Sequence, residues 1–292
     1  MFSGSLVAIV TPMRPDGAVD FGAWERLLDF HAASGSSGIV VGGTTGESAT
    51  LSDSELWELT ERACAQARKR LQVIVGVGTS GTATTVDRTR RLSELPVDGL
   101  LVVTPAYNRP TQEGLYQHFA AVSRAARVPV ILYNVPTRTA VDMLPATVQR
   151  LAQLPGIVAV KEAVPDEERV RELIARCGKD FAILSGDDAS ARRSILLGAK
   201  GLISVTANVA PRAVSDMVAA AMTADAAAAE LLDEPIAALH RDLFLEANPI
   251  PTKWALARMG MIDSGIRLPL TELSARYQPA VLVALSTAGV LS

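Results

Sequence analysis

Eight short apolar runs, alternating with longer polar stretches of helical spacing, constrain this chain more than any other feature. The runs are "SLVAIVTP" (5–12), "GIVVGGTT" (38–45), "QVIVGVGT" (72–79) and "GLLVVTP" (99–105), then "PVILYNVP" (129–136), "GIVAVKEA" (156–163), "FAILSGDD" (181–188) and "GLISVTAN" (201–208). Their centres fall 20 to 35 residues apart, and stretches such as "SDSELWELTERACAQARKRL" (52–71) separate them. Near-continuous apolar strands alternating with helices predict parallel strands buried on both faces. Eight such units in about 210 residues predict a (β/α)8 TIM barrel, which typically needs about 250 with its last helix. An open doubly wound sheet is the structural alternative.

After Asn208 the texture changes. "PRAVSDMVAAAMTADAAAAELLDEPIAALHRDLF" (211–244) is alanine-rich, and no strand candidate follows. The expected division is a catalytic barrel over 1–224 and a C-terminal helical domain over 225–292. "NPIPTKW" (248–254) reads as a proline-shaped turn that opens a further helix.

A formal net charge of −3 gives no reason to expect a nucleic-acid partner or a polybasic membrane surface. No apolar run approaches the roughly 18 residues of a membrane span. The opening "MFSGSLVAIVTPMRPDG" carries no basic leader, and Thr11-Pro12 breaks its apolar run, so no signal peptide is expected. Cys64 and Cys177 stand in no metal-type spacing, which suits free thiols in a reducing cytoplasm.

The barrel turns strand ends into an address, because catalysis in this architecture sits at the C-terminal ends of the strands. Thr11, Thr44, Thr45, Thr79, Thr104, Tyr107, Tyr133, Lys161, Glu162, Ser185, Asp187 and Thr206 stand there. The chain has five lysines. Lys179 and Lys200 precede their strands, Lys69 sits in a basic helix end, and Lys253 belongs to the C-terminal appendage. Lys161 alone lies at a strand's C-terminal end. A lysine there could simply reach out to solvent, but its position and the company of Tyr133 favour chemistry. An apolar setting lowers a lysine pKa from about 10.4 and so favours the neutral amine that attacks a ketone. The imine formed from a keto acid is an electron sink: the neighbouring carbon loses a proton and the enamine attacks an aldehyde. Tyr133, one strand earlier, is placed to move protons with Thr44 as a hydroxyl partner.

Other motifs carry less. "GVGTSG" (76–81) matches the dinucleotide fingerprint, but Asp98 precedes its strand and so stands at the wrong end for the ribose. "GDD" (186–188) hints at a metal, yet His31, His118 and His240 fall in helix-like stretches away from the mouth, and no zinc set is expected. "GGTTGES" (42–48) has no P-loop lysine, but its backbone N–H groups and hydroxyls can cradle a carboxylate. Neither a cofactor nor a metal is expected.

"GGTTGES", "TPAYNRP", "YNVPTRT", "VKEA", "LSGDDA" and "ISVTANVAP", in that order over nearly the whole chain, resemble the dihydrodipicolinate synthase family. That family belongs to the class I aldolase superfamily that also holds N-acetylneuraminate lyase. The resemblance implies condensation of pyruvate with L-aspartate-4-semialdehyde, the entry to diaminopimelate and lysine. It implies that Lys161 forms the imine, that Thr44 and Thr45 hold the keto acid, and that Tyr133 is the central acid/base. Tyr107 would complete the relay from a neighbouring subunit, which implies a dimer at least and a homotetramer by resemblance. Arg138 would take the aldehyde's carboxylate, a task that suits a guanidinium, and Gly186 and Ile203 would line the pyruvate pocket. The alternatives are a related aldolase acting on a sugar acid, which tends to lack the arginine, and a non-catalytic keto-acid binder.

Many members are feedback-inhibited by lysine beside Tyr107. Where inhibited bacterial members carry histidines, an asparagine, a glutamate and an aromatic residue, this chain has Asp53, Leu56, Ser80, Thr84 and Ala106. Little inhibition is therefore expected, unless the carboxylate of Asp53 receives the ammonium group.

Overall fold

A computed structural model describes residues 2–67 and 69–291. β1 (Gly4–Ala8) is followed by α1 (Phe21–Ala33), β2 (Gly38–Val41) by α2 (Asp53–Ala67), and β3 (Gln72–Gly76) by α3 (Thr82–Leu92). β4 (Gly99–Val103) leads to α4 (Gln112–Ala125), and β5 (Val130–Asn134) to the one-turn α5 (Pro136–Thr139) and then α6 (Pro145–Leu151). β6 (Ile157–Glu162) precedes α7 (Glu167–Cys177), β7 (Ala182–Ser185) precedes α8 (Asp188–Leu196), and β8 (Gly201–Ser204) precedes α9 (Pro211–Met222). Then come α10 (Ala226–Asp233), α11 (Ala237–Asp242), α12 (Ile250–Arg258) and α13 (Gln278–Thr287).

All eight strands are parallel, and β8 pairs back onto β1 through Ser5↔Leu202 and Leu6↔Ile203. That closure makes the fold a (β/α)8 barrel and excludes the open sheet. Each strand is shorter than the apolar run that foretold it, because the last residues of each run leave the ladder to build the mouth. Val10 shows the change of partner: its N–H donates to the side chain of Asn208 at 3.0 Å.

Side chains alternate between two cores, as a pleated strand requires, except at Val158–Ala159 of β6, where a register shift against β5 turns both towards the interior. Leu6, Val40, Ile74, Leu101, Ile131, Ala159, Leu184 and Ile203 fill the barrel interior. Val7, Ile39, Val41, Val75, Leu100, Leu132, Val160 and Leu202 face the helices. The fingerprint-like glycines serve packing: a Cβ on Gly76 would stand 2.3 Å from the carbonyl oxygen of Gly42. Asp98 accepts from the N–H of Val73 at 2.7 Å, at the N-terminal end of the strands where the sequence put it.

The residues after α9 are helical and pack closely on the barrel. α10 packs on α8 and α9, and every residue of α12 from Ile250 to Leu256 is buried. The segment before α12 reaches the barrel mouth.

Candidate active site

Tyr133 and Lys161 are register partners on β5 and β6. Both point into the barrel, and both are buried, at 6% and 4% exposure. Their outward neighbours, Asn134 and Glu162, are also partners. The Asn134 amide donates to both Glu162 carboxylate oxygens at 3.1 and 3.2 Å, and Arg169 of α7 donates to Glu162 at 2.8 Å and to Asp142 at 2.7 and 3.0 Å. Burial pushes the Glu162 carboxyl above the usual carboxylate range, and the Arg169 guanidinium pulls against it. This outer clamp fixes the two strands that aim the lysine and the tyrosine.

The two side chains open into a cavity of about 480 Å³ at the C-terminal ends of the strands. Thr44, Thr45, Arg138 and Gly186 line it as well, so six of the eight residues singled out in the sequence converge. A larger depression of about 820 Å³ lies on the outer surface of α2 and α3 around Trp57 and Arg91, and holds none of them. Gly186 keeps the floor open beside the lysine: a Cβ there would stand 3.0 Å from Cγ and Cε of Lys161. Arg138 is carried by α5, whose last residue, Thr139, donates to the carbonyl of Val141 at 3.0 Å. The Arg138 guanidinium donates to the carbonyl of Asn248 at 3.3 Å.

Ile203 and Tyr107 lie elsewhere. Ile203 packs in the barrel interior, one step deeper than Val205, which lines the cavity in its place. Tyr107 stands in the loop after β4 at φ 72°, with 94% of its surface exposed. Asn108 anchors that loop by donating to the carbonyl of Ser80 at 2.8 Å.

Of three residues that the sequence did not flag as site residues, one lines the mouth and two pack behind it. Asn248 lines the cavity, and its amide donates to Thr45 Oγ1 at 2.8 Å. Lys253, on α12 in the C-terminal helical segment as expected, is buried and paired with Glu47, two residues beyond Thr45. Burial lowers the Lys253 pKa, and the charge of Glu47 opposes that shift. No local signal gives these contacts away, since Glu47 and Lys253 are 206 residues apart.

His240 sits on α11 and does not line the cavity, as the sequence placed it. It reaches Thr206, just past β8, at 2.9 Å, and Asp233 at 3.1 Å. The "GDD" acids are structural: Asp187 caps α8 through Ser190 N–H at 2.9 Å, and Asp188 accepts from Val205 N–H at 2.9 Å. Among the described residues, no cluster of three His, Cys, Asp or Glu side chains could hold a metal ion.

The sequence profile of the Dihydrodipicolinate synthetase family matches residues 1–288. The chain belongs to that family. It is 52% identical over 291 residues to a 4-hydroxy-tetrahydrodipicolinate synthase of Methylococcus capsulatus, with the whole of both chains covered. Its fold matches a solved chloride-inhibited dihydrodipicolinate synthase from Acinetobacter baumannii, complexed with pyruvate, at a TM-score of 0.98, 47% identity and full coverage of both chains. It also matches a monomeric dihydrodipicolinate synthase variant at a TM-score of 0.97 and 36% identity, covering 99% of this chain and 98% of that one. The six converging residues lie on β5 and β6, in the loops after β2 and β7, and on α5.

Proposed function

We propose that this chain is a lyase that condenses pyruvate with L-aspartate-4-semialdehyde to 4-hydroxy-tetrahydrodipicolinate, at the head of diaminopimelate and lysine biosynthesis. The observation that carries the mechanism is Lys161 beside Tyr133 in the cavity at the barrel mouth, with Gly186 leaving room at its aliphatic stem. The neutral amine of Lys161 adds to the ketone carbon of pyruvate, and water leaves to give the imine. Loss of a methyl proton gives the enamine, whose carbon attacks the aldehyde carbon of the second substrate. The amino group of the condensed product then displaces Lys161 and closes the ring.

Tyr133 shuttles the protons, with Thr44 as its hydroxyl partner, and Thr45 holds the pyruvate carboxylate. Arg138, across the cavity, receives the carboxylate of the semialdehyde, which a bidentate guanidinium suits. Ile203 supports the pyruvate pocket from below. A sugar-acid aldolase could use the same imine; Arg138 at the cavity wall favours the semialdehyde.

Tyr107 completes the relay in a neighbouring subunit, and the assembly is a homotetramer built from such pairs. Its near-complete exposure, on a loop pinned to Ser80, supports delivery to a second copy. The division into a catalytic barrel (1–224) and a C-terminal helical domain (225–292) belongs to this reading, as does a cytoplasmic setting, which the two free thiols favour.

Borohydride reduction in the presence of pyruvate tests the reading, with mass spectrometry to place the reduced adduct. It should fall on Lys161. An adduct on Lys200 or Lys253 with Lys161 free would sink the mechanism.

A further inference from the structure

The ion pair between Glu47 and Lys253 has no part in the chemistry just described, yet it lies directly behind it. Both side chains are almost fully inaccessible, at 0% and 3% exposure. The second oxygen of Glu47 accepts from the backbone N–H of Arg267 at 3.1 Å, so the carboxylate is held from two sides. Glu47 itself sits at φ 56°, a left-handed conformation that a non-glycine residue adopts at some cost. It closes the tight loop in which its N–H donates to the carbonyl of Thr44 at 3.1 Å and Gly46 N–H donates to Gly43 at 3.1 Å.

Lys253 lies in the first turns of α12, five residues after Asn248. Asn248 is held in turn by Thr252, which donates to its side-chain oxygen at 3.3 Å. From there its amide reaches Thr45 at 2.8 Å, and its carbonyl accepts from Arg138 at 3.3 Å. One short segment from the far end of the chain therefore touches groups assigned to both substrates.

A buried ion pair is weak evidence for stability, since apolar residues of similar volume often serve as well or better. What a charge pair adds is direction: an ammonium on a carboxylate fixes one end of α12 against one loop. We propose that Lys253 is a positioning residue for the reaction, acting through Glu47 on the Thr44–Thr45 loop and through Asn248 on the link between Thr45 and Arg138. It sets the distance between the keto-acid subsite and the carboxylate of the second substrate. This rests on the function proposed above.

The test uses the full chain and two variants. Glu47→Gln combined with Lys253→Met removes both charges and leaves neither buried alone. Asn248→Ala removes the Thr45 contact without touching a charge. Pyruvate trapping on Lys161 is measured against pyruvate concentration, turnover against semialdehyde, and folding by thermal midpoint. In both variants, half-saturation for pyruvate should rise about tenfold, the usual scale for losing one well-placed hydrogen bond. The KM for semialdehyde should rise too, while trapping at saturation still reaches Lys161. If the double variant does not fold, Lys253→Arg, which keeps the charge on Glu47 but changes its reach, decides together with Asn248→Ala. Wild-type half-saturation in whichever variant folds, or losses that track the unfolded fraction alone, would overturn the inference. Failure of the wild-type chain to trap pyruvate on Lys161 would instead overturn the function on which it rests.

Discussion

The Nζ of Lys161 lies 4.4 Å from the centroid of the Tyr133 ring, because the two residues face each other across the β5–β6 ladder. The pair is fixed from behind by Asn134, Glu162 and Arg169, whose hydrogen bonds lock the same two strands on their outer face. The proposed nucleophile and proton carrier therefore share one rigid support, and a disturbance of either face reaches both.

Gly186→Ala should cripple imine formation while leaving the fold intact. Its Cβ would press on Lys161 Cγ and Cε and on Ala163 Cβ, all at 3.0 Å, so the lysine must move. Pyruvate trapping should slow by about ten- to a hundredfold, the cost of misplacing a reacting group by an ångström or less. Trapping at the wild-type rate would show that Lys161 has slack the cavity does not reveal.

Arg138→Ala should separate the two substrates. Semialdehyde use should fall by about a hundredfold or more, as expected when a charged ligand loses its charged partner. Pyruvate trapping should change little. Equal losses in both assays would assign Arg138 to the support of α5 or Asn248.

Arg169→Met should destabilise the barrel strongly. It leaves Glu162, with its side chain 1% exposed, without its cation. Removing one member of a buried pair typically costs about 3–5 kcal/mol, measurable by urea unfolding. A loss below about 1 kcal/mol would mean that the carboxyl takes up a proton at little cost.

Acid should loosen the latch between α2 and the segment after α12. Arg267 donates to both carboxylate oxygens of Glu55, at 2.5 and 2.9 Å, and holds that carboxyl at about 2, against 4.5 for an unperturbed glutamate. The folded state thus binds the proton less readily than the unfolded state. The stabilisation is complete above about pH 4.5 and disappears as pH falls towards 2. In Glu55→Gln the stability deficit relative to wild type should shrink across that window; a deficit independent of pH would disprove the linkage.

L-lysine should inhibit weakly. Asp53, the carboxylate that could have received its ammonium group, already accepts from Arg88 Nε at 2.8 Å. Losing a charge-assisted hydrogen bond of roughly 1.5–3 kcal/mol and an aromatic contact of about 0.5–2 kcal/mol removes more than one decade of affinity. Half-inhibition should lie above about 1 mM, near −4.1 kcal/mol of binding. A dose–response curve with its midpoint below that concentration would show that another group receives the cation.

The barrel and most of its mouth were legible in the sequence because they depend on local order. A parallel strand buried on both faces must be apolar along its length, so "GIVAVKEA" and its seven counterparts announced themselves, and the residue ending each run fell at the mouth. Lys161, Tyr133, Thr44 and Thr45 could be placed that way, whereas Arg138 and Gly186 followed only from the family resemblance. Tertiary structure alone decided the rest. Strand lengths were shorter than the runs because loop residues such as Val10 are also buried, paired with Asn208 from the other end of the chain. Asn248 on Thr45 and Lys253 on Glu47 join residues more than 200 positions apart, and no periodicity carries that distance. Those contacts exist because closing the barrel brings α12 over the loop after β2, where a buried carboxylate must find a cation or pay to stay charged.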